Sequence, residues 1–351
     1  MKYAFNTWAY SSFPVWLPAY PLDEAIRRIA EIGYDGVEIG CAAPHAWPAY
    51  LPAKRRAELR NLLHACGLQA VSLLATPGGG PGLNPASPLV EEREATVYCY
   101  KEVVDLALDL GAEKVLYIAG WQIFGTNRQQ AWDWSSSCLE RIASYAGEKG
   151  ITVVVEPTPA ATNLIETADD ALELMRSVRL SNVKVMFDTL HTLYRNEISA
   201  DYVRTMGKDL VHVHVSDKDR VLPGEGRVDW VGLMRALKDC EFEGYITMEI
   251  GLDSRLSNPD HIARTALNYL SGVETQLARS VRPRQVKRNR CGFVSESSSF
   301  NSPGGLLHLL VMDKNAFKSH PDGRKKSYVA ENIRSDGIQT CEFSLTMQER
   351  K

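Results

Sequence analysis

Four ionisable side chains each close an apolar, β-branched run: Glu156 in VVVEP, Asp188 in VMFDTLH, His214 in VHVHVSD and Glu249 in ITMEIG. Singly, each reads as a strand-end residue tied into local hydrogen bonds. Taken in succession, three carboxylates and one imidazole are a donor set for a hard divalent cation, Mn²⁺, Mg²⁺ or Co²⁺, rather than a thiolate-bound zinc. Carboxylates gathered without such a cation would raise one another's pKa. The third run, LVHVHVS at 210–216, carries two histidines, and strand alternation puts His212, His214 and Ser216 on one face. An isolated pair of this kind reads as hydrogen-bonded core histidines. Beside three acidic strand ends, His214 is the candidate ligand, and His212, one layer deeper, is a core residue or a support for the ligands.

These groups meet only if the strand ends meet. Strand-like runs lie at 2–6, 36–40, 69–75, 114–120, 152–157, 183–188, 210–216 and 245–250, with amphipathic segments such as PLDEAIRRIAEIG and CYKEVVDLALDLG between them. Apolar residues at i, i+3 and i+4, ending in Gly, mark surface helices. Eight strands interleaved with helices over about 270 residues predict an α/β fold, a (β/α)₈ TIM barrel with a C-terminal extension, whose site lies at the C-terminal strand ends. Neighbouring strands stand about 4.8 Å apart, so the last four ends converge. No GxGxxG follows the first strand, against a dinucleotide-binding sheet. The PGGGPG stretch at 77–82 lacks a P-loop lysine and reads as a loop. One echo runs through the barrel: Gly33-Tyr34 precedes Glu38-Ile39-Gly40 at the spacing by which Gly244-Tyr245 precedes Glu249-Ile250-Gly251.

The barrel is assigned to residues 1–278. Residues 279–351 hold 14 Lys/Arg against 7 Asp/Glu and include the low-complexity SESSSFNSPGG, so a basic, poorly ordered tail is expected. The remainder holds 26 Lys/Arg against 36 Asp/Glu, an acidic surface that does not suit a phosphate backbone. Cys41, Cys66, Cys99, Cys138, Cys240, Cys291 and Cys341 are odd in number and scattered, which predicts reduced thiols in a cytoplasmic protein. The opening MKYAFNTWAY has no apolar signal core and no run approaches a membrane span, so neither a membrane nor a nucleic-acid partner is expected.

From residue 1 to about 275, and most closely over 152–251, the sequence resembles the xylose-isomerase-like barrels and, within them, the ketose 3-epimerases acting on D-tagatose, D-psicose and fructoselysine. The residues that carry the likeness are Glu156, Asp188, His214 and Glu249, with His191 three beyond the aspartate, Arg220 six beyond the histidine, and LPGEGRVDW after it. The stretch APHAWPAYL at 43–51 is similar to the fructoselysine branch. The resemblance implies one divalent ion, Mn²⁺ before Mg²⁺ or Co²⁺, held by those four residues. It implies a small-molecule sugar substrate and a homo-oligomer, a dimer or a tetramer. Where such epimerases carry a substrate-binding Glu after the first metal Glu, this chain reads EPTPAATN and offers Thr162 and Asn163.

On this reading, the ion acidifies the carbon beside a ketose carbonyl, and Glu156 and Glu249 remove and return a proton on opposite faces. His191 and Arg220 would hold the carbonyl-end oxygens. Trp8, Trp47 and Trp121 either wall the sugar or are ordinary loop packing. The same ligands and enolate serve lyases or dehydratases of keto-sugars, keto-glycosides or keto-inositols. A nuclease resembling endonuclease IV shares the Asp-x-x-His motif, but its trinuclear zinc needs further histidines, and the strand ends LLATPGG and YIAGWQI have none.

Overall fold

Eight parallel strands close on themselves in strict chain order: β1 Lys2–Asn6, β2 Gly36–Cys41, β3 Gln69–Ala75, β4 Lys114–Ile118, β5 Thr152–Glu156, β6 Val183–Asp188, β7 Leu210–Val215 and β8 Tyr245–Met248. The ring is completed where β8 pairs with β1, from Lys2 opposite Tyr245 to Phe5 opposite Met248. The computed structural model describes residues 1–11, 19–75, 83–252, 257–280, 326–334 and 337–345. Helices α1 Leu22–Ile32, α2 Ala53–Ala65, α3 Val90–Leu110, α4 Arg128–Gly147 and α5 Ala168–Val178 alternate with the strands. They are followed by α6 Thr189–Tyr194, α7 Ser199–Met206, α8 Trp230–Asp239 and α9 Pro259–Ser280. This is the expected TIM barrel. The eighth run is shorter than its sequence pattern: β8 ends at Met248, and Glu249 is the first residue past it, its N–H donating to the Val215 carbonyl at 3.1 Å.

The apolar periodicity explains the packing. In α1, Leu22, Ala25, Ile26 and Ile29 are buried on one stripe, and the helix stops at Gly33, whose φ of 104° is the left-handed conformation a glycine adopts without strain. Each fully buried Ile or Leu contributes about 1.5–3 kcal/mol. The main core lies between strands and helices, while Leu74, Leu116, Val154 and Met186 form a separate small cluster. On β5 and β6 strand alternation sets Glu156 above Val154 and Asp188 above Met186. The two acids therefore rest on an apolar floor. Among the described residues no helix is long and apolar enough to cross a membrane.

Residues 285–351 form a second unit, in which β9 Lys326–Arg334 pairs antiparallel with β10 Gly337–Leu345. The apolar stretch GLLHLLVM at 305–312 lies outside the described residues, and the expectation of a poorly ordered tail did not anticipate the hairpin. Its strands carry Tyr328, Val329, Ile333, Ile338, Thr340 and Phe343, β-formers scattered among polar residues without clean alternation. The PGGGPG stretch likewise lies outside the described residues.

Candidate functional site

Glu156, Asp188, His214 and Glu249 do meet at the C-terminal mouth. His214 Nδ1 lies 2.9 Å from Glu249 Oε2, 3.7 Å from Glu156 Oε1 and 3.9 Å from Asp188 Oδ2. Glu156, Asp188 and His214 are buried, and Glu249 is about one-seventh exposed, with 14% of its side-chain surface open. Local structure aims each group. Asp188 ends β6 and also caps α6, its Oδ1 accepting from the Leu190 N–H at 2.8 Å, which leaves Oδ2 to the site. Thr189 Oγ1 donates to the Ser216 carbonyl at 2.6 Å and accepts its N–H at 3.0 Å, tying the strand ends that carry Asp188 and His214.

A small cation suits this arrangement. Donors held about 2.1 Å from one ion stand about 3 Å apart when adjacent and about 4 Å when opposite, and the three separations around Nδ1 fall in that window. Nδ1 of His214 is buried and turned to the three acids, with Glu249 Oε2 close against it, so an ion bound there would share donors from all four residues. Arg220 brings a guanidinium against the acids: its Nη1 pairs with Asp188 Oδ2 and lies 2.8 Å from Glu249 Oε2. Burial, then Glu249 and Asp188, push the Glu156 carboxyl up to about 8, with His214 and Arg220 opposing. For Asp188, burial also raises, but Arg220, His191 and His214 together hold it below the usual carboxylate range. Burial lowers His214, and Glu38 and Glu249 outweigh it, so its pKa is raised.

His191 stands one turn into α6 and joins the group, a donor atom of its ring lying within 4.8 Å of donors on Glu156 and Asp188. Its Nδ1 accepts from the Ala160 N–H at 3.3 Å, so the neutral ring carries hydrogen on Nε2. Burial lowers its pKa to about 4, reinforced by Arg220 and His214 against the pull of Asp188, and it is a neutral donor at pH 7. Arg220 arrives on the loop after β7, bonded to the acids rather than free. Its backbone φ of 65° follows Asp219 at 60°, two non-glycine residues in the left-handed region.

Three structural residues escaped the sequence reading. Asp217, fully buried, accepts four bonds: Oδ2 from Gly224 N at 2.9 Å and Trp230 Nε1 at 3.0 Å, and Oδ1 from Arg227 N at 2.7 Å and Val228 N at 3.1 Å. That clamp explains the PGEG turn. Gly224 has φ of 95°, and a Cβ at Gly226 would stand 2.2 Å from Asp217 Oδ1. Glu38, fully buried in β2, touches Nε2 of both His212 and His214. The glutamate echo between 38 and 249 was the one available signal: the two residues face opposite nitrogens of His214.

Gly40 is the third. A Cβ there would lie 2.8–2.9 Å from three carbons of the Trp8 indole, so the glycine lets that ring lie close against β2. Trp8 also packs on Leu74, Leu116, Val154 and Met186, the floor beneath the acids. Gly40→Ala should displace the indole and cost about 1–3 kcal/mol. Thermal unfolding reads the loss, and a blue- or red-shifted tryptophan emission reports the ring. Trp47 begins the short Pro48–Tyr50 helix, and Trp121 is fixed through its backbone to Asn84. Among the described residues neither indole hydrogen-bonds to the acids. Thr162 is engaged with Thr158, and Asn163 with the Gln122 backbone, at 2.7 and 2.8 Å.

Comparison with known proteins agrees with this frame. A fructoselysine 3-epimerase of Shigella flexneri is 27% identical over 253 residues, covering 70% of this chain and 91% of that protein. A D-psicose 3-epimerase of Ruminiclostridium cellulolyticum is 29% identical over 233 residues, covering 64% and 76%. The structure of D-psicose 3-epimerase with D-tagatose from Clostridium cellulolyticum H10 superposes with a TM-score of 0.66 at 22% identity, covering 78% of this chain and 99% of that one. That likeness concerns the fold. Residues 26–272 match a family model, and on that span, from α1 into α9, this chain belongs to the xylose isomerase-like TIM barrel family.

Proposed function

We propose that this protein is a divalent-metal-dependent sugar epimerase, a ketose 3-epimerase that inverts the carbon beside the carbonyl. Glu156, Asp188, His214 and Glu249 would hold the ion, for which Mn²⁺ is our assignment. The observation that carries this reading is that Glu156 and Glu249, from β5 and from the end of β8, face the same nitrogen of His214, Nδ1. The names of the relatives support it, both being 3-epimerases of ketose sugars. When bound, the ion supplies Lewis-acid stabilisation of negative charge on the oxygens of an α-hydroxy ketone, several kcal/mol of barrier.

The chain's own residues do the proton work. One of Glu156 and Glu249 accepts the proton from the carbon, and the other delivers one to the opposite face. Such a transfer needs the carboxylates on two sides of the sugar, which strands separated by β6 and β7 provide. His191 donates Nε2–H to a substrate oxygen, its Nδ1 being held by Ala160. Arg220 donates to a neighbouring oxygen from its place beside Asp188, and Trp8 walls the sugar against water. Thr162 and Asn163 hydrogen-bond within the protein, to Thr158 and to the Gln122 backbone.

Chelation of the purified protein is expected to abolish turnover, and added Mn²⁺ to restore it. The decisive measurement is NMR of ketoses and fructoselysine in heavy water. Deuterium appearing at C3 together with the C3 epimer supports the proposal. Deuterium at another carbon, or loss of a water or glycosidic group, assigns a different reaction.

A further inference from the structure

We infer that Glu38 is a positioning residue for the candidate metal centre, fixing which nitrogen of His214 is free to take a cation. This rests on the metal-dependent reading above. Glu38 lies in the middle of β2, three strands round the ring from Glu156 on β5, and has no exposed surface. Its Oε1 accepts Asn6 Nδ2 at 2.6 Å, and its Oε2 accepts Ser72 Oγ at 2.6 Å and His212 Nε2 at 3.0 Å. Nε2 of His214 stands 2.8 Å from Oε1 and 3.0 Å from Oε2. An ionised carboxylate has only acceptors, so each of these four partners must donate.

The consequence is a fixed tautomer. With hydrogen held on Nε2 by Glu38, the nitrogen left to give up its proton to a cation is Nδ1, the atom that faces Glu156, Asp188 and Glu249. The ring cannot rotate away, because His212 packs edge-on against it, the centroids 5.1 Å apart at 76°. A carboxylate on the far nitrogen both orients a ligand histidine and makes it a better donor. The two members of the GY-x₃-EIG echo thus act on opposite ends of one imidazole, Glu249 at the site and Glu38 behind it.

Glu38→Gln keeps the shape and replaces one acceptor with an NH₂. Nε2 of His214 is within reach of both side-chain oxygens, so in either orientation of the amide one of its two acceptors becomes a donor and the hold on the Nε2 hydrogen weakens. A hydrogen that moves to Nδ1 as a result blocks the cation. Mn²⁺ titration of the full-length protein, with free ion read by electron paramagnetic resonance, should show binding weakened about 10- to 100-fold. Ser72→Ala removes a different donor from the same carboxylate and should leave affinity within about threefold. In wild-type protein loaded with Mg²⁺, ¹⁵N NMR should place the His214 hydrogen on Nε2.

Unchanged Mn²⁺ affinity in Glu38→Gln overturns the inference while the metal reading stands. Equal weakening in Ser72→Ala also overturns it, since the effect would then be one of packing. If Glu38→Gln does not fold, the wild-type spectrum decides, and hydrogen on Nδ1 overturns the inference. A wild-type protein that binds no divalent ion removes the metal reading and this inference with it.

Discussion

Glu156→Gln and Glu249→Gln should each slow epimer interconversion by about 10²–10⁴-fold, the range a positioned proton-transfer group contributes. Glutamine preserves the side-chain volume but cannot accept a proton. Both glutamates are also candidate ligands, so the rates must be compared with the ion saturating, its binding measured separately. The more telling result is asymmetric. If the two carboxylates serve opposite faces, each variant keeps the base that faces one epimer and loses the base that faces the other. Glu156→Gln should therefore exchange the substrate's hydrogen with heavy water from one epimer only, and Glu249→Gln from the other. Both variants exchanging the same epimer would sink the assignment. Should elimination replace inversion, the same carbon would exchange but no epimer would accumulate.

How much of this was legible beforehand depended on where each signal sat in the chain. The strands could be read because a parallel barrel strand is a short β-branched run between helices with 3.6-residue periodicity. Runs such as KYAFN at 2–6 and VKVMFD at 183–188 match β1 and β6 residue for residue. The site acids were legible for the same reason: a charge closing an apolar run is locally conspicuous. Glu38 was not, because its role is set by His212 and His214, 174 and 176 residues away. In GVEIG it looks like any acid in a strand, and nothing local shows that its side chain points inward. Nor was the bonding of Arg220 to Asp188 and Glu249 predictable, since it depends on a loop whose path is set by tertiary contacts. The Trp8–Gly40 contact is of the same kind: each residue is ordinary until β1 and β2 are side by side.

Asp217→Asn should show how much the Arg220 position depends on that loop. The wild-type carboxylate satisfies three backbone N–H groups and the Trp230 indole, all directed at two oxygens with no exposure. Asparagine can keep one oxygen toward either pair, so two donors lose their acceptor and face an NH₂ instead. Leaving a buried donor unmatched costs about 1–3 kcal/mol, so for two donors a loss of about 2–6 kcal/mol is expected, roughly 4–10 °C in Tm for a domain of this size. The effect should not stop at stability. Arg220 sits in a left-handed backbone that a long side chain adopts only when its surroundings insist, and Asp217 is three residues away in the same turn. The main constraints on the loop are that clamp, the Asp217 N–H on the Val221 carbonyl at 3.0 Å, and the Gly251 N–H on the Arg220 carbonyl at 3.0 Å. Relaxing the first lets Arg220 drift from Asp188 and Glu249, and a displacement of about 1 Å costs roughly 100-fold in rate. Arg220→Lys in the intact loop separates the two contributions: it should lower kcat/KM to a similar degree while leaving Tm near that of wild type. An Asp217→Asn protein with lowered Tm and unaltered kcat/KM, measured well below its melting point, would show that the clamp serves stability alone.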